Sequence, residues 1–111
     1  MLEKDLVEQC RQSAEAMGAF LALIGQRKAK GSGTTRGVPD MLLMCNGQVR
    51  LIETKRPKTD EHPHGYLSLA QSAFIAAALE HGVTIHVVDD VRDFEALVND
   101  CRSARGVRRT W

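Results

Sequence analysis

Two periods of hydrophobic and polar residues succeed one another along the chain. Over residues 2–18, Leu2, Leu6, Val7, Cys10, Ala14 and Met17 recur at helical spacing, and Gly18 supplies a stop. Residues 19–25, AFLALIG, are a short apolar run that predicts a buried strand. Residues 26–39, QRKAKGSGTTRGVP, carry no apolar period and predict a loop, long enough to be functional. The apolar runs 40–45 and 48–55 flank Asn46-Gly47, the strongest short-range hairpin signal, and Pro57 ends the second of them. A polar loop over 58–67 leads to a helix over 68–81, with Leu69, Phe74, Ile75, Ala78 and Leu79 apolar and Gly82 as its stop. Residues 83–88, VTIHVV, predict a strand. Residues 91–102 predict a helix with Val91, Phe94, Leu97, Val98 and Cys101 on one side. The expected order is α-β-β-β-α-β-α, an α/β class, with a basic tail over about 103–111.

The chain has 111 residues, which suits one domain with its own core. Hydrophobic residues at 43% and charged residues at 26% fit an ordinary soluble globular protein. No apolar run is long enough for a membrane span, and MLEKDLVEQCRQS does not resemble a secretory leader. Cys10, Cys45 and Cys101 are odd in number and lack metal-like spacing, so reduced thiols in a cytoplasmic protein are expected.

The net charge is only +1, but it is unevenly distributed. Between residues 27 and 58, Arg27, Lys28, Lys30, Arg36, Arg50, Lys55, Arg56 and Lys58 stand against only Asp40 and Glu53. Arg102, Arg105, Arg108 and Arg109 follow the last acid, Asp100. Basic segments flanking a lone acid pair suggest a polyanionic partner.

That acid pair has a predictable geometry. With Asn46 and Gly47 as the turn, Cys45 faces Gln48, Met44 faces Val49, Leu42 faces Leu51 and, by extension, Asp40 faces Glu53. Asp40, Leu42, Met44, Val49, Leu51, Glu53 and Lys55 would then share one sheet face. Directly opposed residues have Cβ atoms roughly 5 Å apart, and two carboxylates so placed repel. A divalent cation with oxygen ligands would relieve that repulsion. Lys55 would stand beside them, able to orient a water or offset charge on a phosphate.

Gly37-Val38-Pro39-Asp40, followed by Glu53-Thr54-Lys55-Arg56-Pro57, resembles the core of the PD-(D/E)XK nucleases, and within them the VRR-NUC family. The resemblance runs from the first helix to the last strand. It implies a restriction-endonuclease-like mixed sheet flanked by helices, with Mg²⁺ or Mn²⁺ as cofactor. It implies that Asp40, Glu53 and the Thr54 backbone carbonyl ligate the metal, with Lys55 beside the nucleophilic water. It also implies a first-helix glutamate, for which Glu3 matches best, with Glu8 and then Glu15 as alternatives. An early glutamine of the helix after Glu-x-Lys corresponds to Gln71, although Ser68-Leu69-Ala70-Gln71 also reads as a capping box.

Other candidates carry less. His62 and His64 lack partner ligands at zinc spacing. His86 reads as a half-buried strand residue and His81 as the last turn of its helix. Gly31-Ser32-Gly33 lacks the Lys-Ser/Thr of a phosphate-binding loop, so no nucleotide cofactor is expected. The expected activity is metal-dependent hydrolysis of DNA, with Arg27, Lys28, Lys30, Arg36, Arg56 and Lys58 gripping phosphates. Small members of the family resemble dimeric junction-resolving enzymes, which points to a homodimer acting on branched DNA such as a four-way (Holliday) junction. A restriction- or flap-type nuclease and a non-catalytic nucleic-acid-binding module are the alternatives.

Overall fold

A computed structural model describes residues 3–24, 35–55 and 67–103, with the Glu3 side chain left out. The elements are α1 (Glu3–Ala16), β1 (Phe20–Leu23), β2 (Met41–Cys45), β3 (Gln48–Thr54), α2 (Leu69–Glu80), β4 (Ile85–Val88) and α3 (Val91–Ser103). Their order is the expected one. The strands form one sheet in the order β1-β2-β3-β4. β1–β2 and β2–β3 are antiparallel and β3–β4 is parallel. A parallel pair cannot be closed by a tight turn, so α2 makes the crossover from β3 to β4.

The β2–β3 turn fixes the register. Asn46 and Gly47 have φ of 54° and 74°, the pair of left-handed conformations that a type I′ turn requires and that Asn-Gly supplies cheaply. The observed partners run from Cys45–Gln48 to Met41–Ile52. Both α1 and α2 end in the same way. In α1, Gly18 N–H donates to Glu15 O and Ala19 N–H to Ala14 O. In α2, Gly82 N–H donates to Leu79 O and Val83 N–H to Ala78 O. These paired bonds satisfy carbonyls that a helix end would otherwise leave open.

The core lies on one side of the sheet. Leu6, Cys10 and Ala14 of α1 meet Phe94 and Val98 of α3 over Met41, Leu43, Ile52 and Val88. The Ser13 hydroxyl also donates to Glu95 Oε2 at 2.8 Å, tying α1 to α3. The opposite sheet face, which carries Leu42, Met44, Val49 and Glu53, is covered differently. Val49 and Met44 are exposed there, whereas Glu53 is buried. The expected apolar face beside the acid pair is thus the thinly covered one, because both amphipathic helices dock on the other. On this face α2 contacts β4. Small and apolar residues surround α2 without forming a stripe, so Phe74, Ile75 and Ala78 are only half-buried, while Leu69 and Leu79 are exposed.

On β4, His86 is half-buried. Burial, and secondarily the Arg50 charge, hold its imidazole below the ordinary value of 6.5, against an opposing pull from Asp100. Between the folded and unfolded pKa values the unfolded chain binds more protons, so this histidine lowers stability as pH falls through that window. His86→Gln should therefore shrink the drop in urea midpoint between about pH 7.5 and about pH 5. An equal drop in both proteins would contradict this assignment.

Candidate active site

The Asn-Gly turn dictates what happens at the far end of the hairpin. In a two-residue hairpin the closing pair is hydrogen-bonded, and so is every second pair after it. That series runs through Cys45–Gln48, Leu43–Arg50 and Met41–Ile52. Its next member would set Thr54 against Pro39. The chain instead bends at Asp40. Asp40 Oδ2 takes over as acceptor, receiving the Thr54 N–H at 2.9 Å and the Thr54 hydroxyl at 2.5 Å. Pro39 has no N–H to return to the Thr54 carbonyl. That carbonyl lies on the same strand edge as the Thr54 N–H, so it stands beside the Asp40 carboxylate without its ladder donor.

Glu53 and Lys55 follow a different route. Glu53 is 2% exposed and Lys55 6%. The ion-pair distance from Lys55 Nζ to Glu53 Oε1 is 3.6 Å. Gln71 closes the gap. Its Nε2 donates to Glu53 Oε1 at 2.6 Å, and its Oε1 accepts from Lys55 Nζ at 2.7 Å. Two opposite charges and a carboxamide thus satisfy one another in a place where an unpaired charge would be very costly. The Lys55 backbone is fixed as well, its N–H donating to Val88 O at 2.9 Å.

This arrangement corrects one step of the sequence reasoning. Pairing stops at Met41–Ile52, one position short of Asp40 and Glu53. Each carboxylate has protein partners, so charge repulsion alone does not demand a bridging cation. The donor chemistry nevertheless fits one. Two carboxylates and a backbone carbonyl offer hard oxygen ligands, and a small divalent cation is commonly bound by one or two carboxylates, with waters and substrate phosphates completing its shell. No cluster of three His, Cys, Asp or Glu occurs among the described residues. A cation here would therefore draw on Asp40, Glu53, the Thr54 carbonyl and non-protein oxygens.

Of the candidates named from sequence, Glu53, Lys55 and Gln71 form one bonded group, and Asp40 and Thr54 form an adjoining one. Gln71 occupies both of its expected roles, because the capping box is also formed. Glu3 opens α1, but its side chain lies outside the described residues. Glu8 and Glu15 are exposed and pair with Arg11 instead. Arg36 is exposed. Arg27, Lys28, Lys30, Arg56, Lys58, His62, His64 and the tail after Ser103 lie outside the described residues.

Gly37 belongs to the motif read from the sequence, but its packing role was not legible there. Its φ is +83°, and a Cβ there would lie 2.2 Å from Ala70 O and 2.9 Å from Gln71 N. The loop before Asp40 therefore presses its bare backbone against the first turn of α2, at the residue that reaches Glu53 and Lys55. The Gly-x-Pro-Asp spacing was the available signal, but only the fold shows what the glycine touches.

A solved structure described as a VRR_NUC domain superimposes with a TM-score of 0.63, covering 87% of this chain and 94% of its own, at 18% sequence identity. The fold is that of a VRR_NUC domain. No protein-family model matches the sequence, and no curated protein does. The shared VRR_NUC architecture is thus carried by topology, with few residues in common.

Gly37→Ala should destabilise the protein by about 3 kcal/mol or more, since it adds a collision with backbone to the strain of a positive φ. Gly18→Ala, also at positive φ but in open space, should cost about 1 kcal/mol. Urea denaturation of the two variants checks this; equal costs would show that the Gly37–Ala70 approach is unimportant.

Proposed function

We propose that the protein is a divalent-metal-dependent deoxyribonuclease that hydrolyses phosphodiester bonds, with Asp40, Glu53, Lys55 and Gln71 at its centre. The observation that carries this reading is the buried Glu53–Gln71–Lys55 group beside the Asp40–Thr54 contact, within a VRR_NUC fold. Burying two charges in a small domain contributes little net stability, so their retention is explained better by chemistry than by folding.

Asp40, Glu53 and the Thr54 carbonyl would hold Mg²⁺ or Mn²⁺, which when bound polarises a phosphate and acidifies an attacking water. Lys55 holds that water in line and offsets negative charge developing on the phosphate. Gln71 keeps the lysine and the glutamate apart, so that neither is consumed by a tight ion pair. Exposed Arg36, together with Arg27, Lys28, Lys30, Arg56 and Lys58, would grip phosphates flanking the cut.

Branched DNA is the proposed substrate and a homodimer the proposed state. Two centres related by a two-fold axis suit the paired nicks that a four-way junction requires. The outer sheet face supports a second copy: Phe20 and Met44 are cross-strand partners, Val49 lies opposite Met44, and all three are exposed.

The test is a panel of labelled four-way junction, flap, nicked and linear duplexes incubated with Mg²⁺, Mn²⁺ or EDTA. The junction should be cut in metal and left intact in EDTA. Glu53→Gln and Lys55→Met, which preserve side-chain volume, should each lose about 10²-fold or more in cleavage rate while retaining most DNA binding. A parent protein that binds DNA without any metal-dependent cleavage would be a binding module and would overturn the proposal.

A further inference from the structure

Gln71 is held by three partners, and one of them lies outside the charged pair. Its Oε1 accepts from Lys55 Nζ at 2.7 Å and also from the backbone N–H of Ser68 at 2.9 Å. In return, the Gln71 backbone N–H donates to Ser68 Oγ at 3.1 Å. These reciprocal bonds form the capping box that opens α2. A carboxamide has an acceptor end and a donor end, and its neighbours decide which way it points. Turned over, its NH₂ would meet an ammonium and an N–H, and its oxygen would meet a carboxylate.

Lys55 and Glu53 favour the observed orientation, but they are also the groups that bind ligands in the reading above. When the lysine turns to a water or phosphate, and the glutamate to a cation, their hold on the carboxamide weakens. The Ser68 N–H belongs to the helix start and does not depend on what occupies the site. We propose that Ser68 is a positioning residue: its backbone N–H, acting within the capping box, fixes which end of the Gln71 carboxamide faces Glu53 and which faces Lys55. For its catalytic consequence this rests on the nuclease reading; for its geometry it does not.

Ser68 has a φ of −69°, which a proline ring adopts without strain. Ser68→Ala therefore removes the hydroxyl and keeps the N–H, whereas Ser68→Pro removes both. The difference between them isolates the donor to Gln71. In cleavage assays on a four-way junction with Mg²⁺, Ser68→Pro should have a kcat about tenfold below that of Ser68→Ala, with little difference in KM. Equal kcat values would overturn the proposal.

A second measurement needs neither catalysis nor a proline variant. Nuclear magnetic resonance of the isotope-labelled full chain should show a correlation across the hydrogen bond, from the Ser68 amide nitrogen to the Gln71 side-chain carbonyl carbon. It should persist in Lys55→Met. Its absence from the parent protein, where backbone hydrogen-bond correlations of α2 are seen, would overturn the proposal. So would its loss in Lys55→Met, which would assign the hold to the lysine. If the parent protein cuts no DNA, the nuclease reading fails on its own and the resonance result still decides the role of Ser68.

Discussion

The site depends on two opposite charges, Glu53 and Lys55, buried in a domain whose core lies on the other side of the sheet. An isolated charge buried there would be very costly. Gln71 meets both, and it does so only because α2 starts where it does. The bare backbone of Gly37 lets the preceding loop close on the first turn of that helix, and Ser68 caps it. α2 has no fully buried residue to anchor it. Its polar contacts at the N-terminal end, rather than a greasy stripe, therefore set the position of its first turn over β3.

The second constraint is the hairpin register. A two-residue turn at Asn46-Gly47 commits the series of ladder bonds, and that series arrives at Thr54 opposite a proline. Asp40 bends in and supplies the acceptor that Thr54 needs, while the missing N–H of Pro39 leaves the Thr54 carbonyl without its usual partner. Val-Pro-Asp thus does more than place an acid. It withholds the ladder donor from a backbone oxygen next to a carboxylate, a donor set of the kind a hard cation takes.

Much of this was legible in the chain. Periodicity at 3.6 and the Asn-Gly pair gave the seven elements in order, and the register was correct for every residue of β2. The motif residues around Asp40 and Glu53 point to the fold, and the structural likeness to a VRR_NUC domain agrees. Alternation along the strands showed which residues share a face but not which face α1 and α3 would choose, so the exposure of the side carrying Val49 could not be read from the pattern. The bend at Asp40 lay one residue past the ladder, where extrapolated pairing no longer holds. Gln71 presented two uses that local sequence could only treat as rivals. Their coexistence requires tertiary knowledge, because one amide oxygen serves a residue three positions away and another sixteen away.

The proposed metal site is one in which Asp40, Glu53 and the Thr54 carbonyl together hold a divalent cation. Its most direct test is titration of the isotope-labelled protein with Mn²⁺, following the paramagnetic loss of amide signals. Signals of Asp40, Glu53, Thr54 and Lys55 should vanish first, at low ratios of metal to protein, and should survive in Asp40→Asn. Loss centred elsewhere, for instance on the surface acids Asp89 and Asp90, or loss unaffected by Asp40→Asn, would contradict it.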